Sequence, residues 1–194
     1  MRQELIAIFV IALITVAVAP PLAAVETQSS SSVIAEAAVI EQFQDRIEQY
    51  MVVRRRLAIE IASPAANSSA VQITNASDAL AAAIQRNQPK LRSGSFFEAP
   101  ITTVFKRRVT GVVREANLVL VLSAIDDDGP ASGAPTVYRR FPTSSQLATM
   151  PPSLLAVLPP LPKELEYRIV GSFLVLRDID AALILDYIPS AVPR

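Results

Sequence analysis

The stretch LEYRIVGSFLVLRDIDAALILDYIP, residues 165–189, decides the fold. It opens with alternation: Leu165, Tyr167 and Ile169 are apolar, and Glu166 and Arg168 between them are charged. A period of two places the apolar side chains on one face of a β-strand. Gly171-Ser172 is a tight-turn pair. Leu174 and Leu176, interleaved with Phe173, Val175 and Arg177, then form a second strand, and Asp178-Ile179-Asp180 turns the chain into a third, Leu183 to Ile188. Pro189 has no N–H to give to a ladder and closes the run. The segment therefore predicts a small three-stranded antiparallel meander.

Immediately upstream the chain is proline-rich. Pro151-Pro152 can start a short helix through Ser153–Val157, because a first-turn proline loses no helical bond. Leu158-Pro-Pro-Leu-Pro162 must be extended and polyproline-like, either as a rigid lead-in that lays Leu158 and Leu161 on the core or as a ligand for an aromatic groove. Further upstream, residues 127–137 carry aspartate, glycine and proline and read as an exposed linker. Before that linker the period changes from two to between three and four.

Ala37, Ile40, Phe43, Ile47, Tyr50, Met51, Leu57 and Ile61 form the stripe of a long amphipathic helix over Val33–Ile61. Acidic residues cluster near its start and Arg54-Arg55-Arg56 near its end, as the helix dipole favours. Arg54 falls on the apolar seam and argues against a coiled-coil partner there. Residues 63–77 read as a surface loop, followed by a helix from Asp78 to about Gln88 that Pro89 stops. Pro100 opens another helix through Val104, Phe105, Val109, Val112 and Val113, whose phase can continue to residue 126. Together these readings give an α+β protein. Its helical part covers residues 33–126, its proline-rich connector and meander cover 138–194, and residues 33–194 form one domain.

The amino terminus is of another kind. Residues 5–18, LIAIFVIALITVAV, are apolar except for Thr15 and are followed by Pro20-Pro21 and Leu22-Ala23-Ala24. A bilayer core takes about 20 apolar residues, so this run is the core of a secretory signal peptide cleaved near Ala24. The competing reading is an uncleaved membrane anchor. Residues 25–32, rich in serine, read as a flexible leader. The expected location is periplasmic or secreted.

The 194 residues include no Cys, His or Trp, and 18 Lys plus Arg balance 18 Asp plus Glu. Without Cys or His there is no thiolate nucleophile, Ser-His-Asp triad, zinc finger or histidine-bound metal. Zero net charge excludes a counterion-displacing nucleic-acid binder. No cofactor is indicated.

One acidic cluster could still do chemistry. Glu164, Glu166, Asp178, Asp180 and Asp186 crowd the meander, and two such carboxylates can act as general acid and base or hold a hard cation. The structural alternative gives Asp178 and Asp180 to their own turn, with Arg168 and Arg177 as cross-strand partners. Three basic runs, Arg54–Arg56, Lys106–Arg108 and Arg139-Arg140, read as solvated surface, because three consecutive helical residues share no face.

The signature LPPLPKELEYRIVG, then Leu174-Val-Leu-Arg-Asp178 and Ile184-Leu-Asp-Tyr-Ile-Pro189, resembles an uncharacterised family of exported bacterial proteins. The resemblance extends more loosely over Phe43–Leu57 and Ala79–Phe97, and departs at Pro89. It implies export and a shared architecture, and it carries over no site residue. The function expected is that of a non-catalytic exported protein binding a protein or envelope partner, and the alternative is a carboxylate-dependent enzyme or hard-metal binder at Glu166, Asp178, Asp180 and Asp186. Mass spectrometry of the protein purified from its native cells should show an N-terminus near Val25. An intact Met1 in the membrane fraction would refute cleavage.

Overall fold

A computed structural model describes residues 22–61, 67–116, 134–141 and 150–192. The apolar run 5–18 lies outside these residues, as do positions 117–133, where the continued helix and most of the expected linker fall. Residues 1–34 and 35–194 are two units, and the architecture below is that of the second.

The first helix, α1, spans Leu22–Ile61. It begins earlier than the apolar period indicates. The backbone of Glu26–Ser32, expected as a flexible leader, is helical, as propagation from a formed helix avoids the cost of nucleation even through Ser and Thr. The buried stripe of α1 is Phe43, Ile47, Tyr50, Met51, Arg54 and Leu57. Its steps of four and three continue through Arg54, so a cation occupies a core position where solvated surface was expected. Ala37, read as part of the stripe, is exposed.

The second helix, α2 (Ala70–Asn87), corrects the loop expected over 63–77. Ser69 caps it: its Oγ accepts from Gln72 N–H at 3.3 Å, while the Gln72 side chain accepts from Ser69 N–H at 2.8 Å. This reciprocal box satisfies two backbone donors that a helix start leaves free. The third helix, α3 (Ala99–Glu115), has Pro100 in its first turn and buries Ile101, Val104, Phe105, Val109 and Val113. A short α4 (Pro152–Ala156) starts on Pro151-Pro152 and buries Leu154.

Strands β1 (Leu165–Val170), β2 (Phe173–Asp178) and β3 (Leu183–Ile188) form an antiparallel sheet in the order β1-β2-β3. Val170 pairs with Phe173 across the Gly171-Ser172 turn, where Gly171 has φ of 58°. Between β2 and β3 the register shifts: Leu176 faces Asp186 and Arg177 faces Ile184, leaving Leu185 as an extra residue. Such a bulge lets neighbouring side chains reach one face, and Leu185 and Asp186 are both fully buried. Tyr138 and Phe141 extend the sheet beyond β3, donating to the carbonyls of Ile184 and Ala182 at 2.8 and 2.7 Å. The chain entering that extension, residues 134–137, is the end of the segment whose composition predicts a linker.

The inner sheet face packs on the helices through Leu165, Tyr167, Leu174, Leu176, Leu183 and Ile188. Four rings join the layers. Phe43 stacks on Phe97 at 5.9 Å, Phe105 meets both edge-on, and Tyr167 of β1 meets Phe105 at 6.0 Å. On the outer face, Val175 and Ile184 form a smaller cluster with Phe141. Because Phe105 is fully buried among three aromatic rings, Phe105→Ala should cost about 3–5 kcal/mol of stability. Urea denaturation followed by circular dichroism measures it, and a loss below about 1 kcal/mol would contradict this packing.

Candidate functional site

The acidic residues of the meander are placed on three separate tasks. Asp178, the last residue of β2, is fully buried. Its Oδ2 accepts from Tyr50 OH at 2.8 Å and from Arg54 Nε at 3.1 Å, and its Oδ1 accepts from Ala181 N–H at 2.9 Å. The bond to Ala181 is the aspartate turn expected from the sequence. The partners from α1 are not the cross-strand arginines that were expected.

Asp180 contributes a second acceptor to the Arg54 guanidinium from a side chain that is 63% exposed. Burial works against the Arg54 charge, but the bonds to Asp178 and then Asp180 outweigh it and hold its pKa above the usual value. Burial and the neighbouring Asp178 carboxylate push the Tyr50 phenol well up. This group is a clamp between α1 and the β2–β3 corner.

Asp186 performs a different task. Its Oδ1 accepts from the backbone N–H groups of Gly94 and Tyr187, and its Oδ2 from those of Phe96 and Phe97, all at 2.8–2.9 Å. The turn that presents these donors needs Gly94, whose φ is 83°. The carboxylate thus stands in for the missing pairing of a loop that leads into α3. Burial raises the Asp186 pKa, and the four N–H bonds each oppose that rise.

Glu166 lies on the outer face. It contacts Arg168 NH2 at 2.7 Å and Arg177 Nε at 2.5 Å, the second contact lacking hydrogen-bond alignment. Arg177 lies 4.7 Å above the Phe141 ring, and burial lowers its pKa. Glu164 is half-buried, and its carbonyl accepts from Ile179 N–H. Asp178 and Asp180 share Arg54, whereas Asp186 shares no hydrogen-bond or ion-pair partner with them or with Glu166. Among the described residues no group of three or more acidic side chains could hold a metal ion.

The other basic runs also carry structure. Arg107 and Arg108 pair with Glu36 of α1, and Arg108 also donates to the Val157 carbonyl at 2.9 Å. Arg140 pairs with Asp78 and donates to the Ala181 carbonyl at 2.5 Å.

The feature that sequence reasoning missed is a groove along β1. About 330 Å3 in volume, it is lined by Met150, Leu155, Pro159, Pro160, Leu161 and Tyr167, with Glu166 and Arg168 at its side. The Tyr167 hydroxyl donates to the Pro159 carbonyl at 3.1 Å and fixes the Leu158–Pro162 segment beside the strand. Leu158 is buried and Leu161 partly buried on the core, as the lead-in reading requires.

β1 is an edge strand of the three-stranded sheet. Ile179 N–H donates to the Glu164 carbonyl, so the bonding pairs along β1 and β2 are the even-numbered β1 residues. Tyr167 and Ile169 consequently direct their N–H and C=O groups away from β2. No other backbone group among the described residues pairs with them. A three-stranded meander already puts β1 and β3 at its edges; what the sequence did not show is that residues 138–141 would pair along β3.

Arg54→Met should destabilise by about 3–5 kcal/mol, because it leaves the Asp178 charge buried with only Tyr50 and Ala181 as partners. Asp180→Asn should cost less than about 1 kcal/mol, since that partner is largely solvated. Equal losses in chemical denaturation would contradict the clamp. Compared with known protein families, curated proteins and solved structures, the chain matches none.

Proposed function

We propose that the protein is an exported, non-catalytic binding protein of the cell envelope, and that its compact part holds an extended segment of a partner protein along β1. The observation that carries this reading is the outward ladder of Tyr167 and Ile169 beside a preformed apolar groove. An extended peptide added to such an edge gains main-chain hydrogen bonds, and the groove takes alternate side chains. Pro159 and Pro160 in the groove wall have no N–H to compete with those of the strand edge. Glu166 and Arg168 at the side favour a segment with mixed polarity over a wholly apolar one.

Export rests on the apolar run at residues 5–18 and on the resemblance of the C-terminal signature to exported bacterial proteins. Among the described residues, no helix is long and apolar enough to cross a membrane. Acid–base or hard-cation chemistry at Glu166, Asp178, Asp180 and Asp186 receives less support, since their carboxylates are engaged with arginines, Tyr50 and backbone donors.

A peptide library displayed on phage and selected on the purified protein tests the edge. Enriched sequences should be extended and β-branched at alternate positions. Their addition should protect the Tyr167 and Ile169 amides from hydrogen exchange. Ile169→Pro removes an outward N–H without touching the β1–β2 ladder and should abolish binding while the protein stays folded. Enrichment unaffected by that substitution, or no enrichment at all, overturns the reading.

A further inference from the structure

The outward face of α1, opposite the buried stripe, has an order of its own. Glu41, Asp45, Glu48, Val52, Arg55, Arg56 and Ile59 are all exposed, with Val52 at 61% and Ile59 at 83%. Their spacing of three and four residues places them on one side of the helix over about 28 Å. Along that side the charge runs from three carboxylates, through a valine, to two guanidiniums. The only ion pair within the series is the one between Arg55 NH1 and Glu48 Oε1, at 3.0 Å, and both partners are about half exposed.

A surface of one sign, such as an anionic membrane or a basic protein patch, attracts one half of this face and repels the other. What complements it is a helix with the opposite gradient, and the same helix reversed has that gradient. We infer that this face of α1 pairs antiparallel with the same face of a second copy, about a two-fold axis at the level of residues 51–52.

In that arrangement Glu48 lies level with Arg55 of the second copy, and Asp45 lies two residues, about 3 Å along the axis, from level with its Arg56. The two-fold repeats both contacts. Val52 meets Val52 near the axis, where the exposed apolar surface is needed. A parallel pairing sets carboxylates against carboxylates and arginines against arginines. A two-fold contact of this kind closes after two copies, because each uses the same patch. The inference is independent of the β1 groove, which lies on a different element.

Sedimentation equilibrium of the purified full chain tests the pairing. The wild-type protein should form dimers at low salt and dissociate as salt screens the charges. Replacing Glu41, Asp45 and Glu48 together by lysine makes the face wholly basic, and Arg55→Glu with Arg56→Glu makes it wholly acidic. Each variant alone should be monomeric, and an equimolar mixture should recover a dimer containing one of each. Circular dichroism of the separate variants should match the wild type, as every replaced residue is exposed. Val52→Glu places two like charges at the axis and should abolish the dimer in a chain with its other charges intact. A wild type that is monomeric at low salt, a dimer that survives in either charge variant, or a mixture that stays monomeric overturns the inference.

Discussion

The carboxylate of Asp178 is the constraint on which the arrangement of helices and sheet depends. A fully buried charge is tolerable only when its oxygens are fully engaged, and here three donors come from two distant parts of the chain. Tyr50 and Arg54 fix the rotation of α1 about its axis, since a turn of the helix in either direction would leave a buried cation or anion without its partner. With the rotation fixed, Phe43 and Ile47 face the aromatic cluster, and the opposite side of the helix faces out. Ala181 N–H fixes the same carboxylate to the β2–β3 corner. Apolar packing alone would allow neighbouring helix orientations at similar free energy, whereas this polar triad does not.

Much of this was legible from residue order. The meander follows from alternation at Leu165–Ile169 and the Gly171-Ser172 turn, and α1 and α3 follow from their periods and from Pro100. Local rules fail where a residue works through a distant partner. Arg54 was conspicuous as a cation on an apolar seam, but only its partners at residues 178 and 180 explain it. Asp186 looked like one member of an acidic cluster, yet its role is set by the backbone of residues 94–97. The start of α2 is a different kind of miss: Ser69 and Gln72 form a recognisable capping box, hidden by a composition typical of loops. The bulge at Leu185 has no signal in the alternation, because Leu183, Ile184 and Leu185 are three consecutive apolar residues.

The placement of the acidic residues also bears on function. Five carboxylates lie close in sequence, and folding distributes four of them, Asp178 and Asp180, Asp186, and Glu166, over a clamp, a loop anchor and an outer-face ion pair. The β1 edge carries amides with no backbone partner among the described residues, beside a proline wall, and the outer side of α1 carries an ordered series of charges. Neither depends on a nucleophile, a metal or a cofactor, in keeping with a chain that contains neither cysteine nor histidine.

The two buried aspartates have a further consequence for the order in which the protein can be completed. Tyr50 and Arg54 wait for acceptors 128 and 124 positions later in the chain, and the Gly94–Phe97 amides wait for one about 90 positions later. A nascent chain therefore carries its helices through most of its synthesis without the groups that lock them. Closure comes only when the final strand has emerged.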